Sequence, residues 1–110
     1  MKPLSDYIDF LSSNEKQFND DDNLVVVAFY KFFELENLNV FQVLLKSIFY
    51  KTYIKGTILI ASEGVNGTIS GKKNEISKVL KQLWKLDDLS DLKPKYSFAS
   101  KNPFFRMKIK

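Results

Sequence analysis

The stretch KGTILIASEGVNGTISGKK, Lys55 to Lys73, contains all four glycines of the 110-residue chain. A β-branched run, Thr57 to Ala61, and a shorter one, Gly67 to Ser70, flank the polar segment Glu63-Gly64-Val65-Asn66-Gly67. Two such runs around a glycine turn predict a β-hairpin with positive φ at Gly64 and Gly67. The same residues admit a second use. Backbone N–H groups around two glycines can cradle an anion, with Asn66 as a side-chain donor. A nucleotide-binding phosphate loop is excluded, because no Gly-Lys-Ser/Thr follows at the required spacing.

Upstream, Leu24 to Phe33 (LVVVAFYKFF) is a continuous β-branched and aromatic run. It predicts a strand buried on both faces or nearly so. Glu34 to Asn37 breaks it, and Leu38, Phe41, Leu44, Leu45, Ile48 and Phe49 then recur at helical spacing behind Asn37 as N-cap. Downstream, Gly71 ends the third strand, and Asn74 is placed to cap a second helix on Ile76, Val79, Leu80 and Leu83. Asp87-Asp88-Leu89-Ser90-Asp91 closes that helix. A last extended region has Tyr96 and Phe98 on one face and Ser97 and Ala99 on the other. After Pro103, Met107 and Ile109 alternate with Arg106, Lys108 and Lys110. The order βαββαβ predicts an α+β fold of the ferredoxin-like, or acylphosphatase-like, plan. Its four-stranded antiparallel sheet carries two helices on one face and leaves the other for a ligand or for the N-terminal segment. Residues 1–23 read as a short helix, Leu4 to about Lys16, and an acidic linker, Asn19 to Asn23. Residues 24–110 form the domain itself.

Composition narrows the chemistry. Hydrophobic residues at 45% and aromatics at 15% suffice for one packed core. There is no cysteine and no histidine, which removes disulfides, thiol nucleophiles and the commonest metal ligand and general base together. No metal site, no cofactor and no catalytic residue is expected. Asp6 and Asp9 interrupt the N-terminal apolar pattern, so it is not a signal peptide, and no run reaches the ~18 apolar residues of a membrane span. A cytoplasmic protein without a membrane partner is expected. Charge is uneven. Residues 1–22 hold two lysines and six acids, residues 23–110 fifteen basic and seven acidic side chains, and residues 93–110 six basic side chains and no acid. A basic body fits a polyanionic partner and equally a solvated positive surface. The ending on a basic strand reads as a piece of a longer protein.

Two further constellations have double readings. The strand Arg106-Met107-Lys108-Ile109-Lys110 sends three positive groups to one face, with Lys95 and Lys101 nearby in sequence, to grip phosphates or to blunt a sheet edge. Phe29, Tyr30, Phe32, Phe33, Tyr96 and Phe98 resemble base-stacking aromatics of RNA-binding sheets, but the basic-Gly-aromatic signature is absent, and they read as core. Acylphosphatase chemistry would need an arginine and a glycine-rich loop after the first strand. Lys31-Phe32-Phe33-Glu34 stands there, and the sole arginine is Arg106.

Three blocks carry a specific resemblance: Val27-Ala28-Phe29-Tyr30-Lys31-Phe32, the segment Lys55 to Thr68 (KGTILIASEGVNGT), and Pro103 to Lys110 (PFFRMKIK). In order and spacing they resemble the N-terminal domain of the bacterial rhodanese-containing tRNA uridine hydroxylases, over Leu24 to Lys110. The resemblance implies a parent enzyme that hydroxylates the wobble uridine of tRNA to 5-hydroxyuridine with molecular oxygen. Its reactive cysteine lies in a C-terminal rhodanese domain absent from this chain. The fragment is then catalytically inert alone, with tRNA and the rhodanese domain of the same polypeptide as partners. No RNA-contact residue carries over. The charge pattern offers Lys55, Lys72 and Lys73, which bracket the turn motif Glu63, Gly64, Asn66 and Gly67, as first RNA-binding candidates. The last two sit where a helix dipole favours anions. Arg106, Lys108 and Lys110 come second. The alternative is a protein-interaction domain that docks on the rhodanese domain or self-associates without touching RNA.

Overall fold

The computed structural model describes residues 4–18 and 23–110. Helix α1 (Leu4–Ser13) and one further turn, α2 (Glu15–Phe18), precede β1 (Leu24–Phe32), α3 (Leu38–Phe49), the hairpin β2 (Lys55–Ala61) and β3 (Gly64–Gly71), α4 (Lys73–Trp84), a 3-10 turn (Asp87–Leu89), β4 (Lys95–Ala99) and β5 (Met107–Ile109). The single N-terminal helix expected to about Lys16 is interrupted at Asn14. Its side-chain amide donates back to the Phe10 carbonyl at 2.8 Å, the competition with backbone that asparagine offers. Residues 19–22 of the expected acidic linker lie outside the described residues.

The sheet order is β4-β1-β3-β2-β5. Among the first four strands every neighbouring pair is antiparallel, as a ferredoxin-like plan requires, and β5 runs parallel to β2. The expected four antiparallel strands and two helices are therefore corrected to five mixed strands and three helices of ten residues or more. The alternation of residues 95–110 is real, but it belongs to two strands on opposite edges. A period-2 pattern reports which face a side chain takes, never which edge its strand joins. On that far edge the Gly56 N–H donates to the Arg106 carbonyl at 3.0 Å and the Ile60 N–H to the Lys110 carbonyl at 2.8 Å, so β5 covers a β2 edge that would otherwise be open to pairing.

One core lies on one face. Val25, Val27 and Phe29 of β1, Ile58 of β2, and Val65 and Ile69 of β3 are buried against Phe41 and Leu45 of α3 and Ile76, Leu80 and Leu83 of α4. Asn37 caps α3 as expected, accepting from the Val40 N–H at 3.1 Å. Asn74 does not cap α4. That helix starts at Lys73, and Lys72 at its cap makes no side-chain cap bond. The α1 segment also packs on this face. The Tyr7 ring meets Tyr96 at 5.2 Å, and its hydroxyl donates to the Lys73 carbonyl at 2.8 Å.

Both tyrosines titrate well above the usual range. Burial is the first cause for each, followed by Tyr96 acting on Tyr7 and Asp6 acting on Tyr96. Their raised folded values leave stability complete below the unfolded tyrosine range and lost above it. The melting temperature is expected to fall as pH rises past roughly 10. The Tyr96 hydroxyl is buried with no hydrogen-bond partner among the described residues. Tyr96→Phe is thus expected to be neutral or stabilising by up to about 1 kcal/mol, and Tyr7→Phe to cost about 1 kcal/mol, in urea midpoints.

Candidate functional site

Strand alternation leaves the second face of the sheet without a helix layer. On β1 it carries Leu24, Val26, Ala28, Tyr30 and Phe32. Lys31 points the other way, and its ammonium pairs with the Asp91 carboxylate and donates to the Asp88 carbonyl. The Lys31 hydrogen bond to the Asp91 carboxylate is the main cause holding Asp91 below the usual carboxylate range. The β1 strand is therefore not buried on both faces, and three aromatics read as core, Tyr30 and Phe32 on this strand and Phe98 on β4, are exposed. Tyr30 is 67% exposed and Phe32 78%. In register, Asn66 lies opposite Tyr30 on β3 and Leu59 lies opposite Asn66 on β2.

The two ends of this face differ. At the Leu24 end, the chain between β4 and β5 crosses over the sheet. Ser70 is fully buried there, and its hydroxyl donates to Asn102 Oδ1 at 2.6 Å. The same oxygen accepts from the Phe104 N–H at 3.1 Å. At the Tyr30 end nothing among the described residues crosses. A cleft of about 300 Å³ is lined by Tyr30, Asn66, Thr68, Lys93 and Lys95. A neighbouring one of about 180 Å³ is lined by Tyr30, Phe32, Leu59, Ala61 and Asn66. Toward the β5 edge, Thr57, Phe105, Arg106 and Lys108 line a third, and Phe105 is 99% exposed.

Cations frame the face. Lys95 stands opposite Ala28, Lys55 opposite Ser70, and Lys108 beside Thr57, each at a position that alternates onto it. No strand residue on this face is acidic. Glu63, in the β2–β3 turn, borders it at one end. The structure thus brings Lys55, Arg106 and Lys108 to one surface together with Lys95, read in the sequence as a neighbour of the basic strand, and adds Lys93, which sequence reasoning did not single out. Lys110 is exposed just beyond β5, and Lys72 and Lys73 are exposed at the entry to α4.

The turn motif is rearranged. The turn itself is Ser62-Glu63, and Gly64, Val65, Asn66 and Gly67 belong to β3, paired on both sides. Their backbone groups thus lie in the ladder. The turn carbonyls of Ser62 and Glu63 accept from the Leu35 and Phe33 N–H groups at 2.9 and 3.1 Å. Gly64 has φ 143°, as expected. Gly67 has no positive φ, and Gly56 has one, at 146°. The loop after β1 carries Glu34 and Glu36. Among the described residues no three metal-binding side chains come together, and no helix is long and apolar enough to cross a membrane.

A ferredoxin-like sheet with an extra edge strand and a basic, partly aromatic open face defines an acylphosphatase-like α+β domain. An acylphosphatase from Coxiella burnetii superposes with a TM-score of 0.54 at 9% identity, over 80% of this chain and 93% of that one, a likeness of fold alone. Residues 24–110 match the UPF0176 acylphosphatase like domain, and the chain belongs to that family. Over 86 residues it is 41% identical to a tRNA uridine(34) hydroxylase of Acaryochloris marina (strain MBIC 11017) and 42% identical to one of Rhizobium leguminosarum bv. trifolii (strain WSM2304). Each alignment covers 78% of this chain, which spans 28% of the length of these curated relatives.

Proposed function

We propose that this chain is the N-terminal accessory domain of a tRNA hydroxylase that forms 5-hydroxyuridine at the wobble position, and that it holds tRNA through the open face of its sheet. The relatives supply the substrate class. The observation that carries the reading is the framing of that face by Lys55, Lys93, Lys95, Arg106 and Lys108 with no acidic strand residue on it. Such a surface neutralises phosphates and releases their counterions. The domain offers grip and orientation, and the oxidation belongs to the rest of the parent enzyme.

The test is a titration of the chain with unmodified tRNA at two salt concentrations, beside a DNA duplex of similar charge. For about four phosphate contacts, raising salt from about 50 to 200 mM is expected to weaken binding roughly 50-fold. Binding that is absent at low salt overturns the reading. One observation favours the alternative of a protein-interaction domain, which docks on a rhodanese domain or self-associates. On α3, Val40 and Leu44 are exposed and line a cleft with Glu34, Glu36 and Asp88. Loss of tRNA binding together with concentration-dependent dimerisation would move the assignment there.

A further inference from the structure

We infer that the Tyr30 end of the open face takes unpaired nucleotides, with Tyr30 and Phe32 stacking on bases and the flanking lysines on phosphates. The inference rests on the RNA reading above and narrows it to single-stranded RNA. Its starting point is the exposure of two aromatic rings on one strand, Tyr30 at 67% and Phe32 at 78%. Tyr30 and Phe32 are two residues apart on β1, so both rise from one face. Their centroids lie 5.7 Å apart with the ring planes tilted by 60°, so neither ring is stacked flat on the other. Tyr30 stands between two clefts and lines both, and Asn66 lines both beside it.

The chemistry selects the occupant. Each cleft joins an aromatic ring to an amide that donates and accepts, the pair of features that holds a base by its π face and its edge. Lys93 and Lys95 line the first cleft on the β4 side, within reach of a backbone whose base rests on Tyr30. A protein docking surface of this kind is depleted of lysine at its centre. A nucleic acid requires it. Duplex RNA does not fit the same features, because its bases are paired and stacked inward and present no face to a flat sheet. An unpaired loop or end has its bases splayed, and stacking on aromatic side chains tolerates any sequence.

The experiment uses the 110-residue chain and two probes: a fluorescein-labelled single-stranded RNA 12-mer, and the same strand annealed to its complement. Wild type is compared with Tyr30→Ala/Phe32→Ala. Both side chains are exposed, so the variant is expected to keep the wild-type melting temperature. The expected result is tighter binding of the single strand than of the duplex, and a loss of about tenfold or more for the single strand in the variant with the duplex unchanged. Equal binding of both probes, unaltered by the variant, overturns the stacking assignment and leaves phosphate binding standing. No binding of either probe overturns both readings. If the wild type dimerises in sedimentation and the variant does not, the face is a contact between copies, and the assignment falls in that way.

Discussion

Gly64→Val is expected to remove most or all of the stability of this domain. The residue sits at φ 143°, where a side chain is strained in any surroundings. A Cβ there would lie 2.1 Å from the Lys31 carbonyl oxygen and 3.0 Å from the Phe32 Cα. Both are backbone atoms of the neighbouring strand, so relief requires prising β1 from β3, the central pair of the sheet. The expected cost is about 4 kcal/mol, a large part of the ordinary stability of a small domain. The comparison is Gly67→Ala. Gly67 has no positive φ, and a Cβ there would meet one backbone atom, the Thr57 carbonyl oxygen at 2.9 Å, and two side-chain atoms that can give, Ile58 Cγ1 and Phe29 Cζ at 3.0 Å. About 1–2 kcal/mol is expected there. Urea midpoints of the two variants check the ranking, and equal losses would contradict the strand assignment of Gly64 to Gly67.

The second large effect is on binding. Lys55→Glu/Lys95→Glu/Lys108→Glu reverses three positive charges on the open face without touching the core, and is expected to weaken tRNA binding on the order of a hundredfold at low salt. The salt dependence should flatten in parallel, because fewer counterions are released. Lys72→Glu/Lys73→Glu, at the entry to α4, changes two charges away from the aromatic clefts and is expected to weaken binding less. Filter binding or anisotropy at fixed salt separates the two variants.

How far the sequence revealed this arrangement depends on which signal each element carried. The hairpin was legible because β-branched runs around glycines have few other solutions. Both helices of the ferredoxin-like plan were legible from their apolar spacing, and Asn37 was legible as a cap. The Asn74 cap failed because the helix dipole and first turn tolerate other residues at that position, here Lys72. The fifth strand was seen but misplaced, since Met107 and Ile109 announce a face and remain silent about an edge. The exposed aromatics, weighed as base-stacking residues but read as core, were the most consequential misreading. Within LVVVAFYKF every residue but Lys31 is apolar or aromatic, so the strand offers almost no polar marker of its outer face. The marker lies on its neighbour. Asn66, Thr68 and Ser70 alternate with Val65 and Ile69 on β3, and only the pairing register transfers that polarity to Tyr30 and Phe32. Register is a tertiary fact. Lys93 escaped notice and Lys95 was grouped with the C-terminal strand for the same reason, because their relation to Tyr30 exists only once β4 pairs with β1.

The most direct test of the central claim is an amide chemical-shift footprint of the isotopically labelled chain titrated with tRNA. The account predicts that the largest changes fall on Tyr30, Phe32, Asn66, Thr68 and Lys95, on the open face, with the outer side of α3 unmoved. A footprint on Val40, Val43 and Leu44 with the open face silent would contradict it and mark the helix layer as the working surface.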